Sequence, residues 1–187
     1  MSKPRIISGK AKGIRIQDVP GQSTRPITDR VKEAFFNILS VDIVDSNFLD
    51  LFGGTGSVGI ESLSRGAKSC TFVELNSFAI KTIKNNLETT KLIAGATVFQ
   101  MDAFRYLATP KPIPFDYIYI APPQYKQMWK KALELLDQNI DCLSEDGWVI
   151  IQIHPIEFEE IFLTNLLEFD RREYGSTLLQ FYSRKFS

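Results

Sequence analysis

Phe48-Leu49-Asp50-Leu51-Phe52-Gly53-Gly54-Thr55-Gly56-Ser57-Val58-Gly59-Ile60-Glu61 reads as a buried strand that runs into a glycine turn and then opens a helix. Glycine has no Cβ to hold a ligand off the backbone, and it tolerates positive φ. The helix behind such a turn aims unpaired N–H groups at whatever occupies it. Glu74 closes the next apolar run, Cys70-Thr71-Phe72-Val73, twenty residues after Gly54. An acid at that spacing suits a ribose diol. The turn and the acid together point to an adenosine-containing ligand.

The same alternation continues outward. Apolar runs predict strands near 47–52, 69–74, 96–100, 115–120 and 147–153, and helical spacing predicts helices near 57–65, 77–89, 103–107 and 126–139. Near-continuous apolar strands alternating with helices mean a parallel sheet covered on both faces. The rhythm then breaks: 169–174 and 178–184 flank Gly175-Ser176 and read as an antiparallel hairpin. Upstream, Val31, Ala34, Phe35, Ile38 and Leu39 predict an apolar helix face starting at Thr28. Before it, two β-like runs around Gly9 and Gly13 predict a small hairpin. The expected division is therefore a basic arm over 1–27 and an α/β domain over 28–187.

The 187 residues are 44% hydrophobic and 24% charged, an ordinary globular composition. No apolar run approaches the ~20 residues of a membrane helix, and the first residues lack a signal peptide's apolar core. Cys70 and Cys142 have neither metal nor redox spacing, and the single His154 has no partner for a metal cage. A reducing cytoplasm is the expected location. Zero net charge hides an asymmetry. Residues 1–32 carry eight basic side chains against Asp18 and Asp29, so the rest of the chain is net acidic. Such an arm suits a phosphate backbone or serves as a solubilising tail.

Gly54-Thr55-Gly56-Ser57-Val58-Gly59 also satisfies G-x-G-x-x-G, so a nicotinamide oxidoreductase has to be weighed. No second half-sheet, substrate region or hydride-transfer partner stands out to support it. Asp50 would repel a pyrophosphate and attract the ammonium and sulfonium of S-adenosylmethionine.

Thr24-Arg25-Pro26-Ile27-Thr28-Asp29-Arg30-Val31-Lys32-Glu33-Ala34-Phe35-Phe36-Asn37 and Gly59-Ile60-Glu61-Ser62-Leu63-Ser64-Arg65-Gly66-Ala67 carry a closer likeness. With Arg5-Ile6-Ile7-Ser8-Gly9-Lys10 and Tyr174-Gly175-Ser176-Thr177, the chain resembles the bacterial RsmD-type family over nearly its whole length. These are class I S-adenosylmethionine-dependent methyltransferases that act on a guanine N2 of small-subunit (16S) ribosomal RNA. The resemblance implies a Rossmann-like α/β fold, a seven-stranded, mostly parallel sheet closed by an antiparallel hairpin.

It also implies roles for individual residues. Asp50, Phe52, Gly53, Gly54, Thr55 and Gly56 would hold the methionine end of the cofactor. Glu74 and Leu75 would take the ribose, and Asp102 and Ala103 the adenine. The three acids end or follow expected strands, the edge where open α/β sheets bind ligands, although strand-end acids also cap helices. Lys3, Arg5, Lys10, Lys12, Arg15, Arg25, Arg30 and Lys126 would contact RNA. Removing residues 1–32 is expected to weaken RNA binding while leaving cofactor affinity nearly intact. Lys126, Lys130 and Lys131 also fit a solvated helix face. Trp129 and Met128 read as packing.

After the fourth strand, relatives carry Asp-Pro-Pro followed by Tyr or Phe. This chain has Ala121-Pro122-Pro123-Gln124-Tyr125. Acceptors on the guanine amine help aim its delocalised lone pair, and an aromatic face holds the flipped base. Ala121 removes one acceptor. The Pro122 carbonyl and Tyr125 remain, and Gln124 is placed to substitute for the acid. Two alternatives stay open: a catalytically impaired RNA-binding or ribosome-assembly protein on this fold, and the less favoured oxidoreductase. The expected partner is small-subunit ribosomal RNA or an assembling subunit, with the protein acting as a monomer and away from membranes.

Overall fold

The computed structural model describes residues 4–21, 27–124 and 126–185. The chain divides after Met101 into two compact units. Lys3, Arg25 and Tyr125 lie outside the described residues.

The first unit begins with the arm. Ile6 N–H donates to Ile14 O (2.9 Å), Gly13 N–H to Ile6 O (2.8 Å) and Ile16 N–H to Pro4 O (2.9 Å), folding 4–16 back on itself. Helix α1 (Asp29–Leu39) follows, with Thr28 Oγ1 capping Val31 N–H at 3.3 Å. Its buried stripe is Val31, Lys32, Phe35, Phe36 and Leu39, rotated from the expected one, with Ala34 and Ile38 half-buried. The rotation brings a lysine inward because that lysine has a buried partner, described below. Then come β1 (Asn47–Asp50), α2 (Ser57–Ser64), β2 (Ser69–Glu74), α3 (Ser77–Thr90) and β3 (Ala96–Gln100). Their strands run parallel in the order β3-β2-β1. Every residue of α2 is buried, as a helix enclosed on all sides requires.

The second unit holds α4 (Ala103–Leu107), β4 (Phe115–Ile120), α5 (Met128–Gln138), β5 (Leu143–Ile153), β6 (Leu166–Tyr174) and β7 (Thr177–Arg184). Strand β4 pairs parallel with β5, and β7 lies antiparallel between β5 and β6. All seven strands belong to one mixed sheet.

Three elements start two residues or more from the expected position. β5 starts at Leu143, which pairs with Phe115 ahead of a register shift, so no apolar run marks its first residues. β6 starts at Leu166 because the buried Asp137 carboxylate of α5 accepts the N–H groups of Thr164, Asn165 and Leu166 at 2.7–2.8 Å. α5 starts at Met128, after Gln127 in the left-handed region (φ 50°), so Lys126 precedes the helix and does not share its face with Lys130.

Candidate functional site

The glycine turn lies where β1 ends. Gly53 N–H donates to Val73 O of β2 (3.0 Å), and Gly56 N–H closes a tight turn onto Gly53 O (2.7 Å). Gly54 and Gly56 have φ of +53° and +78°, which no β-carbon residue adopts cheaply. Gly59 is glycine for a different reason: a Cβ there would stand 2.3 Å from Phe72 Cε1 and 2.7 Å from Cys70 Sγ. The first turn of α2 therefore presses directly onto β2.

Glu74, at the end of β2, reaches back to this turn. Its Oε2 accepts Gly54 N–H at 3.0 Å, and Oε1 accepts Leu75 and Asn76 N–H at 2.9 Å each. The two residues twenty positions apart thus meet. Asp50, at the end of β1, is buried and accepts Gly59 N–H at 3.1 Å. Burial pushes its carboxyl up to about 7, the Gly59 bond opposes the rise, and the nearby Glu74 carboxylate adds to it. Phe52 is half-buried, Thr55 buried and Leu75 exposed beside this turn.

The arm is tied to the same region by buried polar groups. Glu61 of α2, wholly buried, accepts Ile7 N–H (2.8 Å), Ser8 N–H (3.0 Å) and Arg65 Nε (2.8 Å). Lys32 Nζ lies 3.4 Å from it and donates to Arg5 O (2.6 Å) and Ser57 Oγ (2.9 Å). Ser64 Oγ accepts Ala11 N–H (2.9 Å) and donates to Ser8 O (2.5 Å). Gly9 passes so close to α2 that a Cβ would stand 1.8 Å from Ser64 O. On α3, Asn86 bonds both Gln17 of the arm and Thr55 O of the turn.

These bonds weigh against the expectation that removing residues 1–32 leaves cofactor affinity nearly intact. Deleting them would strip partners from Glu61, Ser64 and Asn86, and would delete Lys32 itself. Lys32 also leaves the surface charge of the arm. Arg5, Lys10, Lys12, Arg15 and Arg30 remain exposed, with Arg5 paired to Asp29 at 2.7 Å. Sequence reading did not reveal that Glu61, Lys32 and Asn86 tie the arm to α1, α2 and α3. One available signal was a lone acid inside the otherwise small and apolar helix Ser57–Ser64.

In the second unit, Asp102 caps α4, its Oδ1 accepting Arg105 N–H at 2.9 Å, and Ala103 is buried behind it. Ala121 and Pro122 leave β4 half-buried, and Pro123 and Gln124 are exposed. Lys126 is exposed, Lys130 pairs with Glu159, and Lys131 lies over the Phe104 ring at 4.3 Å. Trp129 is fully buried. His154 Nδ1 accepts Ile156 N–H at 3.2 Å and caps the short turn after β5.

A glycine turn after β1, an acid at the end of β2 and an antiparallel strand inserted by the last hairpin define a Rossmann-like class I methyltransferase fold. The chain belongs to the RsmD-type family: the family described as conserved hypothetical protein 95 matches residues 4–183. It is 40% identical over 184 residues to the putative rRNA methyltransferase YlbH of Bacillus subtilis, covering 97% of this chain and 99% of that protein. It is 38% identical over 137 residues to ribosomal RNA small subunit methyltransferase D of Haemophilus influenzae, covering 72% and 71% of the two chains. The solved structure of the putative methyltransferase yhhF from Escherichia coli superposes with a TM-score of 0.86 at 29% identity, over 98% of this chain and 99% of that one.

Proposed function

We propose that this protein transfers a methyl group from S-adenosylmethionine to the N2 amine of a guanine in small-subunit (16S) ribosomal RNA. The observation that carries the reading is the meeting of Glu74 with Gly54 at 3.0 Å, at the exit of β1 and with Asp50 buried beneath it. The names of the relatives supply the RNA substrate.

The residues present suit the donor. The Cβ direction of Gly54 is open, with nothing nearer than Phe52 O at 3.9 Å, so a ligand can lie against the backbone there. S-adenosylmethionine supplies an electrophilic methyl sulfonium. The turn Phe52–Gly56 and Asp50 hold its cationic amino-acid end. A carboxylate oxygen accepts more than one hydrogen bond, so Glu74 can keep the turn and still receive a ribose hydroxyl. Asp102 and Ala103 take the adenine.

The Ala121–Tyr125 loop performs the alignment. The Pro122 carbonyl and Gln124 accept from the guanine amine, and Tyr125 stacks on the base. Two prolines in succession limit the loop's freedom, which keeps those acceptors in place. The basic residues Lys3, Arg5, Lys10, Lys12, Arg15, Arg25, Arg30 and Lys126 meet phosphates. The arm over 1–27 is thus an RNA-docking element of the domain over 28–187, and the protein works in the cytoplasm as a monomer.

Ala121 favours a second reading, a ribosome-assembly protein that binds donor and RNA without methyl transfer. Incubation with labelled S-adenosylmethionine and subunits lacking the modification separates the two. Label in the RNA supports the enzyme, and donor binding without label supports the assembly protein.

A further inference from the structure

Asn86 is fully buried on α3, and its amide faces two separate stretches of backbone. Nδ2 donates to Thr55 O at 2.9 Å and to Gln17 O at 3.0 Å, while Oδ1 accepts Gln17 N–H at 2.8 Å. One side chain therefore satisfies the arm and the glycine turn together.

Thr55 sits between two positive-φ glycines, whose peptide planes rotate more easily than any others in the turn. The Thr55 carbonyl and the Gly56 N–H share one such plane. Asn86 holds that plane at the oxygen, and Gly53 O holds it at the nitrogen at 2.7 Å. Without the Asn86 bond, one of the two restraints is gone and a buried carbonyl loses a partner. The arm enters through the same amide, because the Gln17 backbone fixes which way the amide faces. None of these three bonds involves a side chain of the arm.

We propose that Asn86 is a positioning residue of the methyl-donor site and that the arm, through the Gln17 backbone, is a structural part of that site. The inference rests on the reading of the glycine turn as the S-adenosylmethionine site. It assigns the arm a second task besides meeting RNA: holding the turn in its binding shape.

The test uses the full-length protein, S-adenosylhomocysteine titrated by calorimetry, and methyl transfer to small-subunit RNA. Binding by the parent protein checks the donor-site reading by itself. Its absence removes that reading and the inference with it. Asn86→Asp replaces the donor with an acceptor facing two carbonyls. Gln17→Pro removes the arm N–H that the Asn86 oxygen accepts and sets a ring carbon in its place, which turns the amide away from the arm, and it decides the matter if Asn86→Asp does not fold.

Each folded variant is expected to bind S-adenosylhomocysteine about tenfold more weakly, the size of one lost buried hydrogen bond. The donor KM should rise about tenfold with kcat within about twofold. A purely structural role would reduce the folded fraction, and so kcat, without moving KM. Parent-like binding by a folded variant, or a loss confined to kcat, overturns the proposal.

Discussion

Lys32 Nζ lies 3.4 Å from Glu61 Oε2, and both side chains are closed off from solvent. Burial pushes the lysine down from its ordinary range, against the raising effect of Glu61. The pair joins three pieces of chain, since Lys32 also bonds Arg5 O and Glu61 also bonds Ile7 and Ser8 N–H. Breaking a buried pair costs about 3–5 kcal/mol because it leaves an uncompensated charge. Glu61→Ala should therefore destabilise the protein by that amount. Lys32→Met should cost less, because Arg65 still faces Glu61 at 2.8 Å. Urea unfolding of both variants checks the order, and equal or reversed losses contradict it.

Asp50 should make donor binding depend on pH. With its carboxyl raised to about 7, the free protein holds a proton there at pH 6. A cationic ligand favours the carboxylate, so affinity for S-adenosylmethionine should rise about tenfold from pH 6 to 8 and then level off. Asp50→Asn should flatten that profile in calorimetry. Folding stability moves the other way. The native state keeps the proton longer than the unfolded chain, so this group's contribution is complete below pH 4 and is lost as pH rises through 7.

The exposed basic residues of the arm should act on RNA alone. Replacing Lys10, Lys12 and Arg15 by alanine should lower the slope of log affinity against log salt by about 0.7–0.9 for each phosphate no longer neutralised. Affinity for S-adenosylhomocysteine should stay within about twofold, since the bonds from this stretch to α2 are made by backbone. Filter binding across salt concentrations reads the slope, and an unchanged slope removes these side chains from the RNA interface.

Gln124 follows the two prolines, where the family resemblance implies an aromatic residue, and it is exposed. If its carbonyl oxygen substitutes for the acid missing at Ala121, Gln124→Ala should lower kcat by up to about one decade, the worth of a neutral hydrogen bond. The donor KM should hold. A variant that methylates RNA as fast as the parent leaves Gln124 without a catalytic part.

Most of this architecture was legible because strand and helix periodicity coincide with burial. β1, β2 and β4 are apolar runs, and the approach of Glu74 to Gly54 follows from the spacing of a strand-turn-helix unit. What escaped was polar and buried. Lys32 sits on the inner face of α1, where an apolar pattern assigns that position to solvent. Asn86 resembles its neighbour Asn85 in sequence and differs only in what lies across from it. The start of β6 is set by Asp137, 27–29 residues earlier in the chain, so no local pattern could mark it. Buried hydrogen-bonding groups are chosen by distant backbone, which local composition does not record.

Whether a methyl group moves is the central question, and labelled S-adenosylmethionine supplied with small-subunit ribosomal RNA lacking the modification tests it most directly. Digestion of the RNA should yield the label as N2-methylguanine at one position, absent when Asp50 and Glu74 are replaced by alanine. Donor binding by the parent protein with no label in the RNA, or label on another atom of the base, would contradict it.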